Sequence, residues 1–299
     1  MARTGDEGRQ GTAEGAAMGR AAHALHAEEP VLDDFWAFEL IAPSARALVL
    51  DPSFGSGGML WDGFDTSPLF AVNVGSLRYA EDEVDRCARS GIDQYVILGA
   101  GFDSFALRRE DLVGRLKVYE VDHPDVQRLK RSRIAQASRE PASLPIFVPV
   151  DFEIVGVREG LAQTDFDPRR RTVFSWMNTL PYLSATAIEA TLRDVAEIAA
   201  EGSRLVLNYA CDVPLSDVQA AYQRSLRERL GRSDEPLHPP WHPAEFEALL
   251  TRVGFSVREH GSERDLEDRY FAGRSDGLAP TTPVRVVTAE RTIAPRGAS

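Results

Sequence analysis

The chain has 299 residues, and 46 Asp and Glu against 34 Lys and Arg give it a formal net charge of −12. This length allows one large or two modest domains with a hydrophobic core, and the acidity argues against nucleic acid as a partner. A hydrophobic content of 43% and a charged content of 27% are ordinary for a globular protein. Two cysteines are too few for a disulfide framework, and we expect no metal site. Without a long apolar run or a hydrophobic signal core, we expect a cytoplasmic protein that does not span a membrane.

The N-terminal third differs in composition from the rest of the chain. Residues 1–19 are mostly Gly, Ala and charged residues, so we expect them to be disordered. Residues 20–90 carry apolar side chains at helical spacing, among them Val31, Leu32 and Phe35, which predicts a helical cap or lid. Residues 91–299 are predicted to form a Rossmann-like domain, with substrate-pocket insertions at about 209–245 and 260–280.

Short and nearly continuous apolar runs follow residue 90. Such runs indicate strands buried on both faces, so we predict an α/β fold with a doubly wound, mostly parallel, seven-stranded sheet. The runs lie at 95–98, 117–121, 146–150, 172–176, 204–208, 255–259 and 284–290. Between them we predict a helix over 184–200, capped by Ser184 or Thr186 and ended by Gly202, and further helices over 215–229 and 243–253.

The strongest local signal is the segment Gly99-Ala100-Gly101-Phe102-Asp103-Ser104. A buried strand that enters a glycine turn and then a helix lets backbone amides approach a ligand without obstruction by side chains. The dinucleotide fingerprint requires a third glycine, and Ser104 and Phe105 stand in that region here. The turn therefore argues against a standard nicotinamide cofactor.

Carboxylates follow three consecutive predicted strands. Asp122, in the segment Glu120-Val121-Asp122, comes about twenty residues after the glycines, where an acid accepts hydrogen bonds from ribose hydroxyls. Asp151 and Phe152 follow the third run and could bind and cover an adenine. Singly, each acid is more often a helix cap or a solvated loop residue. Together, Asp103, Asp122 and Asp151 suit a ligand with positive charge, such as the sulfonium and amino groups of S-adenosylmethionine.

Several motifs together resemble the leucine carboxyl methyltransferase family, and more closely its bacterial branch of polyketide O-methyltransferases of the tetracenomycin type. The resemblance covers nearly the whole chain from about residue 20. The motifs are Arg78 with the segments 99–108, 119–125, 150–152, 174–183 and 269–277.

This resemblance implies a class I S-adenosylmethionine methyltransferase fold and assigns roles within it. It makes Arg78 the residue that binds the methionine carboxylate, the glycine turn the holder of the methionyl group, Asp122 the ribose ligand, and Asp151 with Phe152 the adenine site. The cofactor-binding residues expected on this basis are Arg78, Gly99, Ala100, Gly101, Asp103, Glu120, Asp122, His123, Asp151, Phe152, Ser175 and Trp176. One departure is Met177, which stands where the phosphatase-methylating branch has a glutamate and so favours the small-molecule branch.

The expected activity is methyl transfer from S-adenosylmethionine to a carboxylate or phenolic hydroxyl of a small natural product, as in polyketide or antibiotic biosynthesis. Such a displacement requires an aligned acceptor and exclusion of water, and only a phenol gains much from a general base. The candidates for the acceptor side are Tyr209, His238, Tyr270 and Arg274, although Arg274 could instead pair with Asp276 or Glu267. A nicotinamide-dependent reductase and a non-catalytic S-adenosylmethionine-binding protein are the alternatives.

Overall fold

The computed structural model of the chain describes residues 5–51, 67–230 and 237–293. Within them, seven strands form one sheet in the order β3-β2-β1-β4-β5-β7-β6. Strands β1 to β5 are parallel, and β7 lies antiparallel between β5 and β6. The strands are β1 (Gln94–Leu98), β2 (Lys117–Asp122), β3 (Ile146–Pro149), β4 (Thr172–Trp176), β5 (Arg204–Ala210), β6 (Phe255–Ser262) and β7 (Val284–Arg291). Each of the seven predicted runs overlaps one of these strands to within three residues at either end, so the predicted sheet is confirmed.

The helices of the described residues alternate with the strands from β1 to β6. They are α1 (Gly5–His26), α2 (Ala37–Leu40), α3 (Pro43–Val49), α4 (Pro68–Arg89), α5 (Phe105–Arg108), α6 (Pro124–Ala135), α7 (Val157–Leu161), α8 (Ala185–Ile198), α9 (Asp217–Leu230), α10 (Pro243–Arg252) and α11 (Glu263–Leu266). Short helical turns occur at Glu110–Leu112, Leu180–Tyr182 and Glu267–Phe271. None of the helices within the described ranges is long and apolar enough to cross a membrane.

Helices cover both faces of the sheet and give it two hydrophobic cores. Helices α7, α8 and α10 pack on one face, whereas α4, α5 and α11 pack on the other. Helix α8 follows its prediction: the Ser184 hydroxyl caps it by accepting from the Ala187 amide at 3.2 Å, and Ile188 and Leu192 are buried. Its end differs, because the chain leaves the helix at Ala199 and Gly202 lies in the turn that enters β5.

The expectation that residues 1–19 are disordered is wrong for residues 5–19, which belong to α1. Ala17 and Met18 are buried in a cluster with Phe102, directly after the glycine turn. Alanine is the best helix former, and its small side chain lets a helix approach another backbone closely. A segment without large apolar residues can therefore still join a core. Residues 1–4 lie outside the described part of the chain.

Helices α2 and α3 pack on α1, and α1 and α2 also contact α6, while α4 packs on the sheet itself. Residues 52–66, within the predicted cap at 20–90, and 231–236, within the predicted insertion at 209–245, lie outside the described part. The role of the N-terminal helices as a cap stays a prediction, as do the domain limits.

Candidate functional site

The sheet order reverses between β1 and β4, which places a crevice at the carboxyl ends of these two strands. Open α/β sheets bind their ligands at such a switch point. The turn after β1 lies there, with positive φ at both glycines, 65° at Gly99 and 50° at Gly101. The Gly99 amide donates to the carbonyl of Val121 in β2 at 2.8 Å. The predicted glycine turn is thus present, and it is anchored to the neighbouring strand.

The Asp122 carboxylate is held by this turn. Its Oδ2 accepts from the Gly101 amide at 2.5 Å, and its Oδ1 accepts from the amide of His123 at 2.6 Å. Burial raises the pKa of Asp122, while these two backbone donors favour the charged form. Each carboxylate oxygen has further lone pairs with which it can accept from a ligand. The geometry suits a ribose, whose two adjacent hydroxyls both donate.

The residues predicted to surround an adenine lie next to Asp122. His123 caps α6, because its Nδ1 accepts from the Asp125 amide at 3.3 Å, and its Nε2 lies 3.7 Å from Asp151 Oδ2. Phe152 stacks on Trp176, with ring centroids 5.9 Å apart. The structure therefore brings together the predicted residues that follow β1, β2 and β3.

Two of the predicted acids have structural partners. Asp103 Oδ1 accepts from the Phe105 amide at 2.7 Å, at the start of α5. Glu120 is fully buried and pairs with Lys130 at 2.5 Å. Burial, opposed by Lys130 but reinforced by Asp103, raises the pKa of Glu120 to about 7. Asp103 thus satisfies the amide of the first residue of α5, although the N-cap residue of this helix is Ser104.

Arg78 lies on α4 and is about half exposed. Its Nε donates to Asp82 at 2.9 Å, which raises the pKa of the guanidinium against the effect of burial, and its Nη1 donates to the Val31 carbonyl at 3.4 Å. These bonds do not connect Arg78 to the glycine turn. Its predicted role as carboxylate ligand stays a prediction.

The predicted residues of β4 point into the protein. The Ser175 hydroxyl hydrogen-bonds the Tyr95 hydroxyl at 2.8 Å, and Trp176 is fully buried. Among the described residues, Trp176 Nε1 finds no acceptor. Met177 is buried in the core beneath α4, so its thioether fills space where the related branch has a carboxylate.

The four acceptor-side candidates lie in different places. Tyr209 is buried, stacks on Phe246 with centroids 4.2 Å apart and bonds His260 at 2.7 Å, which does not support contact with a substrate. His238 is half-buried, and its amide donates to the Pro181 carbonyl at 2.8 Å, so it lies beside the segment after β4.

The other two candidates contact different segments, Tyr270 helix α4 and Arg274 the loop after α1. The Tyr270 hydroxyl donates to Asp82 at 2.8 Å and lines a surface pocket of about 260 Å³. Arg274 pairs with Asp276, which is the alternative considered for it, and donates to the carbonyl of Glu29 at 2.7 Å.

A buried ionic network that the sequence did not indicate joins α1 to the glycine turn. Arg20 donates to Asp34 and to the Phe102 carbonyl, both at 2.7 Å. Asp34 also accepts from the hydroxyl of Ser104, in the region where the nicotinamide fingerprint requires a glycine. Arg108 continues the network from Ser104 to Glu81 of α4.

An asparagine cluster joins Asn178, two residues after β4, to Asn208 within β5, and its hydrogen bonds were not predicted. Asn178 has φ 59°, the one positive φ of a non-glycine residue in the described part of the chain. Its side chain and that of Asn208 hydrogen-bond at 2.8 Å. Asparagine after a strand is the one available sequence signal, because this residue tolerates positive φ better than most. Groups of three or more metal-ligating side chains are absent from the described residues.

The fold and the turn define a class I methyltransferase architecture, and comparison with known proteins identifies the family. The family model for leucine carboxyl methyltransferase matches residues 13–196. The chain belongs to the leucine carboxyl methyltransferase family, which confirms the resemblance at family level. The cofactor of this family is S-adenosylmethionine.

Individual relatives agree with this assignment. A Bacillus subtilis protein, YktD, is 30% identical over 201 residues, or 67% of this chain and 66% of its own. A Mycolicibacterium gilvum protein is 29% identical over 285 residues, or 86% and 85% of the two chains. Both names provisionally assign S-adenosyl-L-methionine-dependent methyltransferases. The chain spans 66% of YktD and 64% and 56% of relatives from Mycolicibacterium smegmatis and Parafrankia.

A solved structure supports the fold alone. A Thermobifida fusca protein, provisionally described as a methyltransferase, aligns with a TM-score of 0.55 at 16% identity, covering 92% of this chain and 94% of that one. The likeness confirms the class I fold.

Proposed function

We propose that the protein is an S-adenosylmethionine-dependent O-methyltransferase that acts on a carboxylate or phenolic hydroxyl of a small, polyketide-like natural product. The observation that carries this proposal is the hydrogen bond from the Gly101 amide to Asp122, with His123 and Asp151 beside it. The same side chains suit an adenosine that carries a positively charged sulfonium.

Each part of the cofactor has a candidate ligand. Asp122 would accept from the ribose hydroxyls, Asp151 and Phe152 would hold the adenine, and Arg78 would bind the methionine carboxylate after exchanging its bond to Asp82. When bound, S-adenosylmethionine supplies a methyl group on a sulfonium. The residues of the chain have to align an acceptor oxygen with that carbon and keep water away.

Helix α1 supports the exclusion of water from the turn. Ala13 lies so close that a Cβ added at Gly101 would stand 3.6 Å from its own Cβ. Arg20 fixes the helix through its bond to the Phe102 carbonyl. We propose that α1 forms part of the cover of the methyl-transfer site, consistent with the predicted cap.

Calorimetric titration with S-adenosylhomocysteine tests the site. We expect Asp122→Ala to weaken binding about tenfold or more, because two hydrogen bonds to a charged acceptor are lost, and Arg78→Ala to weaken it as well. Asp165→Ala removes an exposed carboxylate that pairs with Lys117 at the opposite end of β2 and should leave affinity unchanged. Wild-type affinity in both site variants would refute the assignment.

A further inference from the structure

The asparagine cluster consists of Asn73, Asn178 and Asn208, and the side chain of Asn208 makes all its hydrogen bonds within the protein. Asn208 Oδ1 accepts from the Asn178 amide at 2.6 Å, and its Nδ2 donates to Asn178 Oδ1 at 2.8 Å and to the Ser76 hydroxyl at 3.0 Å. Asn208 is 4% exposed. Both hydrogens of its amide are therefore committed, and the residue holds Asn178 in its left-handed conformation.

Asn178 and Asn73 each keep a side-chain group that can form a further hydrogen bond. Asn178 Nδ2 donates one hydrogen to the backbone carbonyl of Asn73 at 3.3 Å. A side-chain amide nitrogen carries a second hydrogen, which is free to bind a ligand. The Asn73 side-chain oxygen is buried and has no hydrogen-bond partner among the described residues. Both residues are half-buried, so part of each side chain is exposed, and presenting the Asn73 oxygen to a ligand requires a rotation about χ2 of Asn73. The pair thus offers one donor and one acceptor to a ligand.

The cluster lies on the β4 side of the switch point. Thr179, the next residue after Asn178, is so close to the glycine turn that a Cβ on Gly99 would stand 2.4 Å from its Oγ1. The predicted ribose and adenine residues follow β2 and β3, on the other side of β1. A methyl acceptor that approaches the same crevice from β4 and β5 would meet the asparagines.

We propose that Asn73 and Asn178 position the methyl acceptor and that its reacting group is a hydroxyl, a step that rests on the proposed function. A hydroxyl donates one hydrogen bond to Asn73 Oδ1 and accepts one from Asn178 Nδ2, and its second lone pair is free to attack. A carboxylate has no hydrogen for Asn73, and a neutral amine has too few lone pairs to accept and attack together. The side-chain oxygen of Asn73 would stay unpaired beside a carboxylate, and an amine that paired with it would have no lone pair left for attack, so neither group suits this site.

Methyl transfer to the hydroxyl can be written with all bonds and protons accounted for, and it requires no general base in the asparagine cluster. The hydroxyl oxygen forms a bond to the methyl carbon, the bond from that carbon to sulfur breaks, and its electron pair stays on sulfur as a neutral thioether. The hydroxyl proton stays hydrogen-bonded to Asn73 Oδ1 during the transfer and passes to bulk water as the site opens to release the methylated product, because a carboxamide is far too weak a base to keep it. Asn73 and Asn178 are positioning residues that align the oxygen.

The test uses the full chain and two aromatic probes with the same rings, 2-naphthol and 2-naphthoic acid. Binding of each probe is measured with the protein saturated by S-adenosylhomocysteine, and turnover is measured with labelled S-adenosylmethionine. We expect 2-naphthol to bind and to be methylated, and 2-naphthoic acid not to be. Asn73→Ala should weaken 2-naphthol binding about fivefold and lower turnover, at unchanged affinity for S-adenosylhomocysteine.

Stability separates this role from a structural one. Asn73→Ala should leave the melting temperature unchanged or raise it, because it removes an unpaired carbonyl and alanine favours a helix. Asn178→Gly keeps the backbone conformation but removes the carboxamide, and should also lower 2-naphthol binding. Arg89→Ala, at the exposed end of α4, is the control.

The outcomes are distinct. If the wild-type protein fails to bind S-adenosylhomocysteine, the proposed function fails together with this assignment. If S-adenosylhomocysteine binds but the acid is the methylated probe, or neither probe binds, or Asn73→Ala behaves as wild type, the acceptor assignment alone is refuted.

Discussion

Alanine substitutions at Gly91 and Gly99, which both have positive φ, distinguish the cost of backbone strain from the cost of steric contact. A Cβ at Gly99 would stand 2.4 Å from Thr179 Oγ1, whereas at Gly91, with φ 88°, it would meet nothing within 4 Å. We therefore expect Gly91→Ala to destabilise the fold by about 1–2 kcal/mol through strain alone. Gly99→Ala should cost about 2 kcal/mol more because of overpacking. Urea denaturation of the two variants measures the difference.

A double variant checks the cause of that difference. Thr179→Ala removes Oγ1 and Cγ2, the two atoms closest to a Cβ at position 99, so Gly99→Ala combined with Thr179→Ala should recover most of the added cost. Equal free energies of unfolding for Gly91→Ala and Gly99→Ala would contradict the steric account.

The residues that could be predicted from the sequence belong to local patterns. Gly99, Gly101 and Asp122 were identified because a strand, a turn and a following strand give them a recognisable spacing. The bond between Asn178 and Asn208 joins residues 30 apart, and Asn178 reaches Asn73 across 105 residues. Such pairs form only when β4, β5 and α4 come together, and no single-sequence periodicity records that.

At the scale of elements, α1 makes a pH-dependent attachment through His23. The His23 Nε2 accepts from the Val31 amide at 2.9 Å, which requires an unprotonated nitrogen. Burial, with a smaller effect of Arg274, lowers the pKa of His23 from 6.5 to about 4. In that pH range the unfolded chain binds the proton more readily than the folded one, so stability falls as the pH falls from 6.5 towards 4.

The His23→Gln variant isolates this contribution. The loss should approach about 3 kcal/mol near pH 4 and about 2 kcal/mol at pH 5. A glutamine oxygen can also accept from Val31 but does not titrate, so the variant should match wild type at pH 8 and overtake it at pH 5. Urea denaturation at both pH values measures this; parallel pH profiles for the two proteins would show that His23 is not responsible.

Element prediction succeeded where hydrophobic runs are long and failed for α1. All seven strands and α8 bury apolar residues whose spacing is visible in the sequence. Helix α1 instead buries alanines such as Ala17, and alanine is common in disordered and helical segments alike. Its order depends on Phe102 and on the charge pairs of Arg20, which only the folded chain brings to it.

At the scale of the whole molecule, both hydrophobic cores share the sheet that carries the ligand site. Helix α4 packs on one face of that sheet, where it contacts β4, β5 and β7 and pairs with α5 through Glu81 and Arg108. Because opening the crevice by unfolding would disturb both cores, we expect one cooperative transition, to which a ligand at the carboxyl ends of β1 and β2 is coupled.

Thermal unfolding with added ligands therefore tests the cofactor class in the intact protein. S-adenosylhomocysteine at 100 times its dissociation constant should add about 2.7 kcal/mol to the free energy of unfolding, which corresponds to a rise in melting temperature of about 4–5 °C for a chain of this size. NADPH should give no rise, because a turn with Ser104 bonded to Asp34 lacks the third glycine of a dinucleotide site. At the same ligand concentration, Asp122→Ala should lower this stabilisation to about 1.4 kcal/mol or less, because its affinity for S-adenosylhomocysteine is expected to be at least about tenfold weaker. A rise with NADPH alone would instead favour a reductase.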